Sequence, residues 1–255
     1  MRHVIITAGT KGLGRQMTEY FLNNNYTVTA TYHTDREKAE ELMENFKHIS
    51  DRLHVEQLDV LDKENINDVI MKAFNRFGRI DCLVNNAGPY IFERKKLVDY
   101  TEEEWNLMIR GNLDASFYLV KKCIPIMRKQ QFGRIVFLGF QNANQASGWI
   151  HRSAFAAAKV GLHSLMKTIA IEEAENKITA NMVAPGDITG SMKEGTIQES
   201  RNTSQHNSMT PIGRVGTGED IARTVYFLCH DDSDMITGSF IEVSGGLDVI
   251  HRYLP

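Results

Sequence analysis

Short apolar segments recur along the chain, separated by longer segments in which apolar residues follow a helical spacing. Several short segments, such as 82–84 and 135–138, are hydrophobic at every position. Continuous apolar runs of this kind are typical of strands buried on both faces of a parallel sheet. The predicted strands are residues 4–7, 28–32, 53–58, 82–84, 135–138, 179–183 and 240–243.

The intervening segments predict helices, because their apolar residues recur every three or four positions. The predicted helices are residues 14–24, 36–46, 63–77, 102–129, 155–174 and 218–229. A regular alternation of strands and helices predicts a doubly wound α/β fold. No internal repeat, linker or low-complexity segment divides the 255 residues, so a single domain is expected.

Residues 186–213 interrupt this rhythm with a long polar segment that contains many Ser, Thr, Asn and Gln residues. A long loop without regular structure inside a compact domain is usually functional. We interpret the segment as a lid over a substrate or cofactor site. The alternative is an ordinary mobile surface loop.

Composition narrows the class of protein. The chain carries 29 Lys+Arg and 32 Asp+Glu, a net charge of −3, with no long basic run, which argues against a nucleic-acid binder. Three cysteines without a CxxC pair predict neither a disulfide scaffold nor a metal site, and fit a reducing compartment. The chain enters a predicted strand at once and has no apolar run near ~18 residues, so we expect no signal peptide, no membrane association and a cytoplasmic location.

A glycine-rich turn, TAGTKGLG at residues 7–14, joins the first predicted strand to the first predicted helix. Glycines in such a turn let the backbone approach a pyrophosphate closely. The helix N-terminus adds free N–H donors and the positive end of its dipole. The turn therefore indicates a dinucleotide site, although an ordinary tight turn remains the alternative.

Further motifs follow in a fixed order. They are NNAG at 85–88, Asn112 within a predicted helix, Lys159 four residues after Phe155, PG at 185–186, PIGRVG at 211–216, EDIA at 219–222, ITG at 236–238 and GG at 245–246. In this order and spacing, the chain resembles the short-chain dehydrogenase/reductase family, especially its 3-oxoacyl-acyl-carrier-protein reductase branch. The resemblance covers essentially the whole chain. It implies a Rossmann-type sheet of about seven parallel strands in one NAD(P)-binding domain over residues 1–255.

The same resemblance assigns residues to the cofactor. The pyrophosphate turn would comprise Gly9, Thr10, Gly12, Leu13 and Gly14. Ala8 occupies the usual first glycine position, and one interpretation is that this glycine is shifted by one residue to Gly9. The adenine would lie between Asp59 and Val60, the ribose near Asn86, Ala87, Gly88 and Lys159, and the nicotinamide amide against Pro185, Gly186 and Ile188.

The choice between NADP(H) and NAD(H) depends on charge at the end of the second strand. An acidic residue there would bind the ribose hydroxyls and repel a 2′-phosphate. This chain has Tyr32, His33 and Thr34 instead, and its acidic residue comes only at Asp35. Lys11, His33 and Thr34 could surround a phosphate with donors, which favours NADP(H) over NAD(H). The alternative is that Lys11 and His33 are plain solvated side chains.

The resemblance also implies a catalytic set that this chain lacks in part. In the family a Tyr protonates the substrate carbonyl, a Lys lowers the pKa of that Tyr, a Ser bonds the carbonyl oxygen and an Asn orders a water. The Lys would be Lys159 and the Asn Asn112, but Phe155 stands at the Tyr position and Phe140 at the Ser position. The interval between Phe140 and Phe155 is slightly longer than in close relatives. Losing both hydroxyls should leave little reductase activity by the usual route.

Other residues could replace the missing acid. His151 would lie one helical turn before Phe155 if the helix already runs there, but an exposed loop histidine is the plainer interpretation. Ser147, Ser153 and Tyr90 are further candidates on flanking loops. Ser153 also fits the N-terminal cap of the helix.

Two functions therefore remain open. The first is an NADP(H)-dependent oxidoreductase with altered catalysis that acts on a carbonyl or hydroxy compound. The second is a catalytically inactive NADP(H)-binding sensor or assembly subunit. A methyltransferase is disfavoured because Tyr32 replaces the acid expected at that strand end. The paired phenylalanines suit a hydrophobic or acyl-type small-molecule ligand. Since helices 102–129 and 155–174 pair across a two-fold axis in relatives, the resemblance implies a homodimer or homotetramer.

Overall fold

The computed structural model describes residues 1–202 and 210–247 of the chain. Within them, seven parallel strands form one sheet in the order β3-β2-β1-β4-β5-β6-β7. The strands are β1 (His3–Ile6), β2 (Thr27–Tyr32), β3 (Leu53–Gln57), β4 (Cys82–Asn85), β5 (Gly133–Leu138), β6 (Ile178–Pro185) and β7 (Phe240–Val243). The predicted Rossmann-type architecture is confirmed. The strand order reverses between β1 and β4, so a crevice opens beyond the carboxyl ends of these two strands.

Helices cover both faces of the sheet. They are α1 (Gly12–Asn23), α2 (Arg36–Asn45), α3 (Lys63–Phe77), α4 (Glu102–Ile109), α5 (Ala115–Gln130), α6 (Ser153–Glu172), α7 (Ile197–Asn202) and α8 (Gly218–Cys229). One apolar core packs α1, α2 and α8 against the sheet, and a second packs α3, α5 and α6 against the other face. Burial on both faces explains why the strands are hydrophobic at nearly every position.

Helix α6 is long and apolar enough to cross a membrane, judged by length and composition alone. Half of its apolar window is buried inside the fold, and it carries the buried polar residues Lys159 and His163. Its packing against the sheet is that of a core helix in the second apolar core.

The helix predicted over 102–129 is present, but it is not α-helical throughout. A π-helical turn, Arg110–Asp114, separates α4 from α5. Gly111 lets this turn approach Pro89 closely, because a Cβ at Gly111 would lie 2.4 Å from the proline ring. The Asn112 amide Nδ2 donates to the carbonyl oxygens of Pro89 and Met108, each at 3.0 Å. A widened turn of this kind often marks a functional position.

The prediction of a structureless segment over 186–213 is also wrong. The segment contains a 3₁₀ turn, Gly190–Lys193, and helix α7. The Ile197 N–H donates to the Glu219 carboxylate at 2.7 Å, and the Ser200 hydroxyl donates to the Val215 carbonyl at 2.6 Å. These bonds fasten the segment to the start of α8. Residues 203–209 of the predicted lid lie outside the described residues.

Candidate active site

The turn between β1 and α1 is held by its own backbone. The Ala8 N–H donates to the Thr31 hydroxyl at 3.0 Å, and the Gly9 N–H donates to the Thr31 carbonyl at 2.7 Å. Ala8 itself adopts a left-handed φ of 51°, whereas Gly9 does not. The left-handed conformation thus falls on Ala8, whereas Gly9 makes the close approach, since a Cβ there would lie 2.9 Å from the Ile6 carbonyl oxygen. A Cβ at Gly14 would lie 1.9 Å from the Ala8 carbonyl oxygen, so the turn can close only with glycine at position 14.

The first turn of α1 accepts an anion. The Gly12 N–H donates to Oε1 of Glu194 at 2.6 Å, and the Gln16 amide Nε2 donates to the Glu194 carbonyl at 2.7 Å. A helix N-terminus stabilises negative charge through its free N–H groups and its dipole. The Glu194 carboxylate therefore occupies a position that also suits a phosphate oxygen, which fits the expected pyrophosphate turn.

Thr7, which the sequence reasoning did not assign, ties the turn to the end of β4. Its hydroxyl accepts from the N–H groups of Asn86 and Ala87, each at 2.9 Å, and donates to the Val84 carbonyl at 3.2 Å. The Asn86 amide Nδ2 donates to the Thr7 carbonyl at 2.9 Å. A polar residue at the end of a buried strand was the available signal for this role.

A cavity of about 220 Å³ opens beside this turn. Among its lining residues are five that the resemblance or the charge argument singled out: His33, Asp59, Val60, Ala87 and Gly88. Ala8 and Tyr32 line it as well. Four of the residues expected near the adenine and ribose thus meet at one edge of the sheet, while Asn86 and Lys159 do not line this cavity.

The predicted phosphate cluster is organised differently from the expectation. The Lys11 ammonium forms an ion pair with the Asp35 carboxylate at 3.0 Å, and that carboxylate also caps α2 by accepting from the Lys38 N–H. The hydrogen bond from Lys11 holds the pKa of Asp35 below its ordinary value. Lys11 is thus a paired side chain, although 58% of it remains exposed.

Lys159 and Asn112 are both buried, and α6, which carries Lys159, packs against the π turn that carries Asn112. Lys159 is 5% exposed, and its ammonium donates to the Leu138 carbonyl at 2.8 Å. Burial lowers the pKa of Lys159 to about 8, because the apolar surroundings disfavour its charged form. The Oδ1 atom of Asn112 is buried and has no hydrogen-bond partner among the described residues. A Cβ at Gly88 would lie 2.2 Å from that atom, so Gly88 makes room for it.

Four aromatic side chains meet beyond Lys159 and define what we call the aromatic pocket: Tyr90, Phe140, Trp149 and Phe155. Phe140 stacks on Trp149 with ring centroids 5.2 Å apart and lies 6.2 Å from Phe155. Tyr90 meets Phe155 edge to face at 5.0 Å. The Lys159 ammonium lies 5.5 Å from the centre of the Phe155 ring.

A cavity of about 400 Å³ adjoins these rings. The predicted nicotinamide residues Pro185, Gly186 and Ile188 line it beside Tyr90 and Phe140. The structure therefore brings the residues expected at the two ends of a dinucleotide into one continuous row of carboxyl strand ends. Sequence reasoning missed Trp149, for which an isolated aromatic residue in a loop offers little signal.

Of the possible replacement acids, the structure brings Tyr90 alone into the aromatic pocket. Helix α6 begins at Ser153, so His151 lies before the helix, with a φ of 62°, and does not line the cavity. Ser147 does not line it either. The expected cap at Ser153 is wrong, since Arg152 occupies the cap position and the Ser153 hydroxyl has no partner among the described residues.

With the geometry described, the chain can be compared with known proteins. The model of a family described as enoyl-(acyl carrier protein) reductase matches residues 7–248. YtkK of Bacillus subtilis (strain 168), whose name as an oxidoreductase is provisional, is 60% identical over 252 residues, which are 99% of this chain and 98% of that protein. The chain belongs to the short-chain dehydrogenase/reductase family. The 3-oxoacyl-[acyl-carrier-protein] reductase FabG of Haemophilus influenzae is 35% identical over 95% of this chain and 96% of its own length.

Solved structures are similar to this chain in both sequence and fold. A provisionally named 3-oxoacyl-reductase from Bacillus thuringiensis is 61% identical, with a TM-score of 0.93, and the match covers 98% of this chain and all of that one. ElxO with NADP bound is 31% identical, with a TM-score of 0.82, over 96% of this chain and 98% of that one. A tyrosine-to-phenylalanine variant of ElxO, solved with NADPH bound, is 32% identical with the same TM-score. This protein is thus an oxidoreductase-family chain that resembles FabG.

Proposed function

We propose that the protein binds NADP(H) in preference to NAD(H) and is a FabG-like carbonyl reductase whose catalysis is weak or altered. In this proposal Phe155 and Phe140 occupy the positions of the family's catalytic Tyr and Ser. The observation that carries it is the meeting of these two rings, 6.2 Å apart, beside the buried Lys159. The closeness of the two rings to each other and to Lys159 supports this assignment of the two positions.

The cofactor part rests on the cradle at the sheet edge. Three features fit a dinucleotide with its pyrophosphate at the helix N-terminus: the Gly12 N–H that binds a carboxylate, the close-packed Gly14, and the cavity beside His33 and Asp59. The solved relative ElxO holds NADP at 31% identity. Its tyrosine-to-phenylalanine variant holds NADPH, which shows for that protein that such a change is compatible with cofactor binding.

The chemical part follows from what the side chains can donate. NADPH, when bound, supplies a hydride. A phenyl ring has no proton to give, and Lys159 therefore has no phenol to act on. A positioned acid contributes about 10²–10⁴ in rate and an oxyanion donor about 10²–10³. The proposed activity is correspondingly low for 3-oxoacyl substrates.

A second candidate function is a catalytically inactive NADP(H)-binding sensor or assembly subunit. The same aromatic pocket favours it, because Phe140 is 4% exposed and stacks on Trp149, as in a permanent apolar lining. This candidate shares the cofactor and differs in having no turnover. In either case we propose a single-domain, cytoplasmic homodimer or homotetramer with a hydrophobic or acyl-type ligand.

The decisive experiment measures binding and turnover separately. Titration of the intact protein with NADPH and NADH, followed by cofactor fluorescence, should give tighter binding of NADPH. A panel of 3-oxoacyl thioesters, ketones and aldehydes is then screened for oxidation of NADPH and formation of the alcohol. Slow turnover supports the altered reductase, and binding without any turnover supports the sensor or subunit. Failure to bind either nucleotide would contradict both.

A further inference from the structure

Beyond its aromatic walls, the cavity that adjoins the aromatic pocket is positively charged. Three cationic residues line it: Arg94, Arg152 and Lys193. Asp187 is the one acidic residue among the described residues that line it. An apolar ligand alone does not require this excess of positive charge.

Arg152 is held rigidly without being neutralised. Its guanidinium donates to the Tyr90 hydroxyl at 2.6 Å, to the Phe92 carbonyl at 2.9 Å and to the Glu93 carbonyl at 2.7 Å. A further bond goes to the carbonyl of His151 at 3.1 Å. All these acceptors are uncharged, so the positive charge persists beside the rings of the pocket. One of its five N–H groups remains available.

Arg94 adds a second cation on the segment that Arg152 holds. Within residues 1–202 and 210–247, no hydrogen bond or ion pair engages the side chain of Arg94 or Lys193. Lys193 also lies near the first turn of α1, since its Cβ is 4.0 Å from the position of a Cβ at Gly12. Lys193 could therefore serve the cofactor phosphates, which leaves Arg94 and Arg152 as the cations of the ligand end.

We propose that the ligand of the aromatic pocket is a carbonyl compound with an apolar, preferably aromatic, body and a carboxylate or similar anionic group. The body packs against Tyr90, Phe140 and Trp149, which line the cavity, and the anion is held by Arg94 and the free N–H of Arg152. This inference rests on the proposed function, because it takes the pocket to be the substrate end of the site. Because its bonds to neutral groups hold Arg152 in place, this side chain needs little reorganisation to accept a carboxylate. A charge-assisted bond is also stronger than a neutral one.

The test uses two unreactive probes of nearly equal shape, 3-phenylpropanoate and its neutral amide, 3-phenylpropanamide. Their binding to the full chain saturated with NADP is measured by calorimetry at low and moderate salt. We expect the carboxylate to bind at least tenfold more tightly than the amide, with the difference falling as salt rises. Arg94→Gln should reduce this preference to threefold or less while leaving amide binding unchanged. Arg223→Gln, an exposed arginine of α8 that does not line the cavity, should leave the preference intact.

Equal binding of the two probes, no binding of either, or a preference that survives Arg94→Gln would overturn the inference. Because both probes are unreactive, the result is independent of turnover. A clear carboxylate preference without reduction of any oxo acid would uphold the pocket and refute the carbonyl reductase. Reduction of neutral ketones without a carboxylate preference would uphold the carbonyl reductase and refute the anion-binding pocket.

Discussion

The two ends of the candidate site are built by different means. At the cofactor end, backbone atoms meet each other: a Cβ at Gly14 would strike the Ala8 carbonyl, and the N–H of Gly12 binds a carboxylate directly. At the aromatic end, the contacts are between side chains, chiefly Phe140 and Phe155. Backbone contacts restrict the residue type severely, whereas apolar side chains of similar volume exchange at small cost. Nucleotide binding and reaction chemistry can therefore be changed independently in this fold.

The largest expected effect tests the backbone end. Gly14→Ala places a methyl group 1.9 Å from the Ala8 carbonyl oxygen, so the turn must move. We expect NADPH affinity to fall by more than 100-fold and the free energy of unfolding to fall by about 2–4 kcal/mol. Cofactor fluorescence and urea unfolding measure the two effects.

Gly148→Ala is the matched control for that prediction. No atom lies within 4 Å of a Cβ at Gly148, and its φ is not left-handed. The NADPH affinity and the free energy of unfolding of this variant should both stay near those of the natural protein. Nearly normal NADPH affinity in Gly14→Ala would mean that the turn does not hold the cofactor as proposed.

The next prediction concerns the side-chain end. The double variant Phe155→Tyr with Phe140→Ser supplies a phenol and a hydroxyl beside Lys159 and Asn112. We expect the rate of 3-oxoacyl reduction to rise by about 10²-fold, with NADPH affinity unchanged. The rise should be partial, since ~1 Å of misplacement can cost about 10²-fold. Steady-state kinetics with NADPH measure it.

Phe227 is an exposed phenylalanine of α8, so Phe227→Tyr is a control for the added phenol. It should change neither the rate of 3-oxoacyl reduction nor the NADPH affinity. Robust turnover of the natural protein that survives Tyr90→Phe would show that Phe155 does not occupy the donor position. Loss of that turnover in Tyr90→Phe would instead identify Tyr90 as the acid, since Tyr90 lines the cavity and its ring contacts that of Phe155.

Sequence reasoning reached the fold because strand periodicity is a local signal. It also named several residues that the structure brings around one cavity, because a glycine turn is a local signal as well. It could not find the ion pair of Lys11 with Asp35 or the hydrogen bonds of Thr7, which join segments far apart in sequence. It also missed the π turn at Asn112, because apolar periodicity continues through it. The position of Trp149 and Arg152 at the cavity could not be predicted, because it depends on how β5 and α6 place the loop between them.

A smaller effect is expected for the stability of the protein when Lys159, which lies between the cofactor end and the aromatic end of the site, is replaced. Burial lowers its pKa to about 8, so below pH 8 the folded protein keeps a buried ammonium that destabilises it. Lys159→Met should therefore raise the free energy of unfolding by about 2 kcal/mol at pH 7 and weaken NADPH binding. The gain should shrink as pH rises from about 8 to 10.5, because the natural protein loses its proton before the unfolded chain does.

Urea unfolding of both proteins between pH 7 and pH 10.5 measures this difference. Lys167→Met, an exposed lysine of the same helix, should shift stability by less than about 0.5 kcal/mol at every pH. A gain that does not depend on pH would mean that packing, and not the buried charge, distinguishes the Met variant.

The smallest expected effect lies at the rim of the cofactor end, where Lys11 is paired with Asp35. Lys11→Gln removes the cation that would meet a 2′-phosphate, and we expect NADPH affinity to fall about fivefold while NADH affinity is unchanged. Asp35→Asn keeps an acceptor for the Lys38 N–H that it caps but frees the ammonium, so NADPH affinity should rise two- to threefold. In the double variant the gain from Asp35→Asn should disappear, because no cation remains to be freed. Equal changes for NADPH and NADH in Lys11→Gln would show that Lys11 contacts the shared part of the cofactor and that the preference arises elsewhere.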